Sequence, residues 1–338
     1  MLQFLRRRLL ASLLTLFGIT TITFALARVV PSDPAVVYIG PRARPDEIAR
    51  ITKQLGLDRP FYEQYWGYLV DLSHGDWGRS LATKEPVLGG IAAKLPATLE
   101  LIFLAMTLAV VIGVPLGVYA AYRKGRLPDV GARVGSVVGL SMPVFWLGLL
   151  LQVLFAEWLH LLPANGRLSL EMSVLDPITN ITGFYLFDSL VTANWAGFSD
   201  AGSHLILPTI TLAAYPAALI TRMTRAAMLD VLSQDYVRTA RTFGLSERIV
   251  LWRLALRNAM PTTLTVSGLS LAYLVTGSFF VETVFNWPGI GQYSTTAMLN
   301  VDYPAIMGIT LLGATVFLVI NLAVDLLHAK LDPRIRLQ

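Results

Sequence analysis

The sequence predicts an all-α polytopic membrane protein, with about six transmembrane helices and a small extracytoplasmic insert after the first. Three observations carry this reading. Apolar residues make up 54% of the 338-residue chain and charged residues only 14%, where soluble domains carry nearer a quarter. Several apolar runs reach the roughly 20 residues that a helix needs to cross a bilayer. Lysine and arginine concentrate in segments that share one side if each run crosses once, as the positive-inside bias requires. The chain has no cysteine, which excludes disulfides, thiolate metal sites and thiol nucleophiles. Its net positive charge is read by position along the membrane topology, and no nucleic-acid partner follows from it.

The first span covers residues 9–30, behind Arg6, Arg7 and Arg8. A secretory signal peptide begins the same way, and Ala25-Leu26-Ala27 mimics a cleavage site. A run of this length suits a retained anchor better, with the three arginines inside. Residues 31–95 read as an extracytoplasmic insert, since no apolar run there is long enough to span. Within it, 46–55 forms an amphipathic helix with Ile48, Ile51 and Leu55 on one face. Tyr62, Tyr65, Trp66, Tyr68 and Trp77 fit an interfacial aromatic belt with small-domain packing, or a docking surface for a partner outside the membrane.

The second span is 98–119. Glu100 near its outer end reads as a snorkelling, structural carboxylate, with a transport ligand as the alternative. Gly113 and Gly117, around Pro115, combine close packing with a kink. The third span is 131–158, with Gly131, Gly135 and Gly139 on one face and an interruption at Ser141-Met142-Pro143. Gln152 reads as an interhelical hydrogen-bonding residue, with a place on a pathway as the alternative. A second outer loop, 159–202, is too long for a bare connector. The fourth span, 204–228, should kink at Pro208 and Pro216, and Arg222 and Arg225 should snorkel from its inner end. The fifth and sixth spans are 261–285 and 304–327; Lys330, Arg334 and Arg336 close the chain inside. Both termini are thus cytoplasmic. The divisions are 1–30, 31–95, a membrane core 96–329, and a tail 330–338.

One polar, Arg-rich segment, 230–260, separates the fourth and fifth spans. Nothing from Asp235 to Phe243 breaks a helix. Gly244 supplies a left-handed position that ends it. Ser246 is placed to cap a second helix, with Glu247 at its positive end; that helix carries Arg248, Arg253 and Arg257 and stops at Pro261. The product is a helix-turn-helix on the inner membrane surface that offers Arg238 and Arg241 to something outside the chain. The competing reading is a solvated basic loop near anionic lipid. Near the outer end of the fifth span, Glu282 precedes Asn286-Trp287-Pro288-Gly289-Ile290-Gly291. An intramembrane acid is a functional candidate: Glu282 holds the following turn, or else, with Trp287 and Gly289, takes part in gating or the pathway.

Chemistry of its own is not visible in the chain. There is no phosphate loop. His74, His160, His204 and His328 are scattered, with no i,i+4 pair. No Ser-His-Asp order sits in a fitting turn, and no ladder of buried acids and histidines suggests a proton relay. No catalytic residue and no metal ligand is assigned. A multi-span path without an energy source, joined to a contact segment, suggests that energy arrives through contact. The alternatives are a self-sufficient secondary transporter or channel, and a membrane sensor or scaffold.

The segment Asp235-Tyr236-Val237-Arg238-Thr239-Ala240-Arg241-Thr242-Phe243-Gly244-Leu245-Ser246, followed by Leu254-Ala255-Leu256-Arg257-Asn258-Ala259, resembles the EAA loop of binding-protein-dependent ABC importers. More narrowly, the chain is similar to the B-type permease subunit of the dipeptide, oligopeptide and nickel family. Further motifs in the same order are Pro31-Ser32-Asp33-Pro34, Leu55-Gly56-Leu57-Asp58-Arg59-Pro60, Gly75-Asp76-Trp77-Gly78-Arg79-Ser80, Leu95-Pro96-Ala97-Thr98-Leu99-Glu100, His204-Leu205-Ile206-Leu207-Pro208 and Val281-Glu282-Thr283-Val284-Phe285-Asn286-Trp287-Pro288-Gly289. The resemblance covers essentially the whole chain.

It implies the type I ABC importer permease fold and a coupling helix seated in a cleft of an ATPase subunit. Asp235, Tyr236, Arg238, Thr239, Ala240, Arg241, Gly244, Leu245 and Ser246 would form the coupling site. Arg238, Thr239 and Ala240 stand at the Glu-Ala-Ala positions. The missing Glu and the late Pro261 fit the peptide branch better than the sugar branch. Also implied is a heteromer in a bacterial or archaeal plasma (inner) membrane: a second permease subunit, two ATPase subunits or domains, an extracytoplasmic solute-binding protein, and surrounding lipid. This chain would be non-catalytic and bind no cofactor, ATP and Mg residing on the partner ATPases. It would form half of a path for peptides or related small solutes.

Overall fold

The computed structural model describes residues 2–29, 39, 44–54 and 56–331. The Pro31-Ser32-Asp33-Pro34 motif, Leu55, Arg334, Arg336 and the side chains of Ile51, His328 and Lys330 lie outside the described residues. In chain order the helices are α1 (Leu2–Val29), α2 (Pro45–Gln54), α3 (Phe61–Ser73), α4 (Val87–Tyr122), α5 (Leu127–Ser141), α6 (Val144–Leu151, extended by a π turn over Gln152–Trp158), α7 (Leu170–Leu175), α8 (Tyr185–Val191), α9 (Trp195–Leu232), α10 (Asp235–Thr242), α11 (Glu247–Ile249, extended by a π turn over Val250–Ala255), α12 (Leu256–Val284), α13 (Ile290–Leu299) and α14 (Tyr303–Leu331). Among the described residues the only β feature is an isolated bridge between Arg79 and Pro86.

Among the described residues, four stretches are long and apolar enough to cross a membrane: Arg6–Ala27, Val87–Tyr122, Trp195–Leu232 and Tyr303–Ala323. Two bent pairs raise the number to six: Leu127–Ser141 with Val144–Trp158, at 104°, and Glu247–Val275 with Gly277–Val284, at 48°. The first pair breaks where the sequence places an interruption, at Ser141-Met142-Pro143, and the bend there is sharp. Ser141 ends α5 because the residue before a proline is pushed out of the helical region. Met142 and Pro143 are both extended (ψ 124° and 131°), and two extended residues in a row redirect the chain. Other prolines do not act as stops. Pro208 and Pro216 lie inside α9, and Pro261, expected to end a helix, lies inside α12. A proline within a membrane helix removes one N–H; neighbouring helices and local π adjustments can take up the freed carbonyl, and a π turn stands just upstream at Val250–Ala255.

The chain divides into two compact units, Met1–Thr98 with Pro288–Leu318, and Leu99–Trp287 with Val319–Gln338. In the first, Val87, Ile91, Tyr293, Ala297 and Ala305 form a buried cluster, with Trp77 and Ile309 against it. Asp302 pins the turn at 80–82 to the start of α14. Its buried carboxylate accepts from Ser80 Oγ at 2.5 Å, from the Leu81 N–H at 3.0 Å and from the Ala305 N–H at 3.3 Å. The last of these is an N-cap bond, which satisfies an otherwise orphaned donor of the first helical turn.

In the second unit α9 is central, packing against α12, α5, α6 and α8. Gly113 and Gly117 let α4 approach α9 at backbone distance. A Cβ on Gly113 would meet Ile220 Cγ2 at 2.9 Å, and one on Gly117 would meet Thr224 Cβ at 2.7 Å and the Thr221 carbonyl at 2.8 Å. This is the small-residue packing common between membrane helices. Of the three glycines on α5, only Gly139 has a close neighbour, Ala218 Cβ at 2.9 Å; Gly131 and Gly135 face open space.

Arg225 also departs from its expected snorkelling. Its Nε and Nη2 donate to Asp129 at 2.5 and 3.0 Å, and the Gly125 N–H donates to the same carboxylate at 2.8 Å. Asp129 is buried, and a buried carboxylate needs a fixed cation. That need outweighs the reach of Arg225 toward water.

Candidate functional site

The surface segment forms one compact piece. Val237 and Ala240 turn inward, into an apolar cluster with Val118, Met228, Val250 and Ala255. Asp235, Arg238, Thr239 and Arg241 turn outward. The helix ends as the glycine predicts. Gly244 has φ +76°, its N–H donates to the Arg241 carbonyl at 2.9 Å, and the Leu245 N–H donates to the Ala240 carbonyl at 3.2 Å. This pair of bonds is the Schellman closure, which requires a left-handed residue at that position. Tyr236 holds α10 to α12, its hydroxyl accepting from Asn258 Nδ2 at 2.6 Å.

Two details differ from the sequence reading. Ser246 has the extended backbone of an N-cap, but its side chain makes no capping bond. Arg241 folds back on the chain: Nε and Nη2 donate to the two carboxylate oxygens of Glu247 at 2.9 and 3.3 Å. That fork spans the elbow between α10 and α11. Arg238 sits 3.7 Å from Asp235, with its side chain 79% exposed; an exposed pair of this kind contributes only about 0–1 kcal/mol. Sequence reasoning gave no weight to Phe243, which is 81% exposed at the tip of the elbow. An exposed ring beside a rigid turn is the sort of anchor that dominates protein contacts.

Glu282 and Trp287 are brought together by the structure; Gly289 falls in the other unit. Both side chains are fully buried, and the Trp287 N–H donates to the Glu282 carbonyl at 2.8 Å. The 159–202 segment is fastened to the same region. The Gly166 N–H donates to the Phe285 carbonyl at 2.9 Å. Gln152 Nε2 donates to the carbonyls of Ala164 and Val284 at 2.9 and 3.1 Å. Arg167 lies 3.7 Å over the Tyr185 ring and 5.4 Å from that of Trp287. Gly289 is the N-cap of α13, where the Ile290 N–H donates to Thr98 Oγ1 at 2.8 Å.

Arg167 is also the partner of Glu100, with Nη2 donating to Oε2 at 2.5 Å and to the Gly183 carbonyl at 2.9 Å. The other carboxylate oxygen accepts from the Leu186 N–H at 2.9 Å. Glu100 is therefore enclosed, not snorkelling, because its cation comes to it. The signal was present in the sequence. A carboxylate within a span needs a partner, and Arg167 is the only Lys or Arg in residues 159–202.

Asp188 organises the same segment. Its buried carboxylate accepts from the N–H groups of Ile181, Thr182 and Gly183 and from Thr182 Oγ1, at 2.6 to 3.2 Å. Burial alone would raise its pKa, but the bonds from Thr182, Gly183 and Ile181 outweigh burial and hold it below the ordinary 3.8. A depressed pKa adds stability that is fully present above the unfolded value and lost as pH falls through the folded one. The stability gap between wild type and Asp188→Asn should thus be widest at neutral pH and narrow below pH 3.8. Urea unfolding across that range in detergent checks this.

Among the described residues, up to six candidate spans, with an exposed helix–turn between the fourth and fifth, make this a multi-pass membrane protein. Residues 113–337 match the family described as binding-protein-dependent transport system inner membrane component, and residues 1–102 match its N-terminal counterpart; the chain belongs to this family. It is 45% identical to the di/tripeptide transport system permease protein DppB of Pseudomonas aeruginosa, over all of both chains. It is 44% identical to the probable D,D-dipeptide transport system permease protein DdpB of Escherichia coli, over 98% of this chain and 96% of that one. Its fold resembles the inward-facing MetNI methionine ABC transporter, with TM-score 0.50 and 17% identity over 70% of this chain and 93% of that chain. The chain is a B-type permease subunit of the peptide branch of ABC importers and a multi-pass inner-membrane protein.

Proposed function

We propose that this subunit lines half of a translocation path for di- or oligopeptides, and that α10 with its Gly244 elbow is where partner ATPases drive it. The supporting observation is the build of the elbow. One face is locked into the bundle by Val237 and Ala240, the end is closed by the Schellman bonds, and Arg241–Glu247 braces the outside. A short helix so held transmits a displacement instead of absorbing it. Phe243, Leu245 and Arg238 are exposed on the side that would meet the ATPase. In this reading the 230–260 segment is cytoplasmic, as are both termini, while 31–95 and 159–202 face the side from which a solute-binding protein delivers cargo. ATP and Mg belong to the two ATPase subunits or domains, and a second permease completes the path. Dipeptide cargo rests on the names of the relatives.

The test is reconstitution with the cognate partners in vesicles, reading uptake of a labelled dipeptide and ATP hydrolysis together. Uptake by this chain alone without ATP would replace the proposal with a secondary transporter. Phe243→Ala should weaken assembly with the ATPase by about 2 kcal/mol, roughly thirty-fold in affinity, while leaving the permease folded. Co-purification titrations read this directly; unchanged affinity would remove Phe243 from the contact.

A further inference from the structure

We propose that α3 lies in the headgroup boundary of the bilayer, with Tyr62, Trp66 and Val70 against lipid. Part of the segment after the first span is then a membrane-surface element and not a wholly water-borne insert.

The first observation is where α3 is held. The ring of Phe24 lies 5.4 Å from Phe61, 5.2 Å from Tyr65 and 5.4 Å from Tyr68, the last pair stacked. The hydroxyls of Thr21 and Tyr65 are 2.6 Å apart. Thr21 and Phe24 belong to the candidate span Arg6–Ala27. Hence α3 packs alongside the last turns of a membrane crossing, not beyond its end.

The second observation is what α3 leaves uncovered. Phe61, Tyr65 and Tyr68 take the side facing Phe24. Tyr62, Trp66 and Val70 recur at i, i+4 and i+8, which sets them in one stripe along the helix. Tyr62 and Trp66 are 70% and 69% exposed. Glu63 and Asp71 are also exposed; on the helical wheel Glu63 borders Val70, seven residues on, and Asp71 lies on the flank between Val70 and the Phe24 side. The uncovered surface thus passes from an aromatic and apolar stripe, with Glu63 at its edge, to a charged flank.

The third observation is continuity. Ile22 and Leu26, next to the residues that hold α3, are themselves exposed on the span. On a membrane-spanning helix such residues face hydrocarbon, and the α3 stripe extends that surface. Trp and Tyr favour headgroup depth, where an apolar ring body and a polar tip are both satisfied. A helix with one apolar face and one charged face lies in the interface plane, immersed by about 5–10 Å. A large exposed aromatic stripe in water would instead be an association hazard.

The absence of cysteine from the chain allows labelling at one chosen residue. Trp66→Cys, Tyr62→Cys and Asp71→Cys, each carrying an NBD fluorophore, are placed as full chains in phosphatidylcholine nanodiscs, with plain or acyl-brominated lipid. The probes at 66 and 62 should lose most of their emission in brominated lipid and resist aqueous iodide. The probe at 71 should do the reverse. Absence of a bromine effect at both 66 and 62 overturns the proposal. So does protection from iodide that arises only when the partner chains or the solute-binding protein are added, which would make the stripe a protein dock.

Discussion

Arg167→Ala should destabilise the permease by about 3–5 kcal/mol, the usual cost of removing one member of a buried ion pair. The reason is what remains. Glu100 stays enclosed with one N–H donor, from Leu186, and no cation. Exposing it would mean unfastening the 159–202 segment, which Arg167 also holds through the Gly183 carbonyl and the Tyr185 ring. Removing both charges together, in Glu100→Leu with Arg167→Met, should cost much less, because an apolar pair of similar size has no desolvation to offset. Chemical unfolding in detergent, followed by tryptophan emission, measures both. A loss below about 1 kcal/mol for Arg167→Ala, the scale of an exposed pair, would show that the pair is not a fastening. Dipeptide uptake should fall in the single variant and recover partly in the double one, if the fastened segment shapes the path.

The second large effect is functional. Gly244→Val should leave membrane insertion intact and sharply reduce coupled ATP hydrolysis. At φ +76° a side chain costs about 1–2 kcal/mol, and a β-branched one more, since its backbone opposes positive φ. Nothing lies within 4 Å of the site where a Cβ would sit, so the damage is conformational and not steric. A shift of 1–2 kcal/mol lowers the ratio of closed to open elbow by about 5–30-fold. Gly244→Asn is the control, because asparagine tolerates the left-handed region, and it should keep most of the coupling. Wild-type ATP hydrolysis in the Gly244→Val transporter would separate the elbow from energy transfer.

Much of the fold is legible locally. Six apolar runs appear as six candidate spans, and Gly244 ends its helix as its freedom at positive φ demands. Gly113 and Gly117 pack as their spacing suggests. Proline was the weakest guide: Pro143, with Met142 extended before it, redirects the chain while Pro208, Pro216 and Pro261 are absorbed into helices. The surface segment is readable as a piece, but not the pairing of the exposed Arg241 with Glu247 across the elbow.

Sequence alone therefore determined the number and kind of elements, the polar elbow and its hinge residue, and the family. The family rests on the order of whole motifs along the chain; the rest depends on composition, on spacing of 3.6 residues, and on the φ preference of one glycine, all of which act within a few residues. Tertiary structure decided the pairings: Glu100 with Arg167, Asp129 with Arg225, Asp302 with the 80–82 turn, and α3 with Phe24. Each joins residues tens to hundreds of positions apart, or settles which of several charges satisfies a buried group. Partner choice of that kind is set by the cost of leaving a charge or a polar group unpaired in a low-dielectric interior, and only the packed chain sets which partner is within reach.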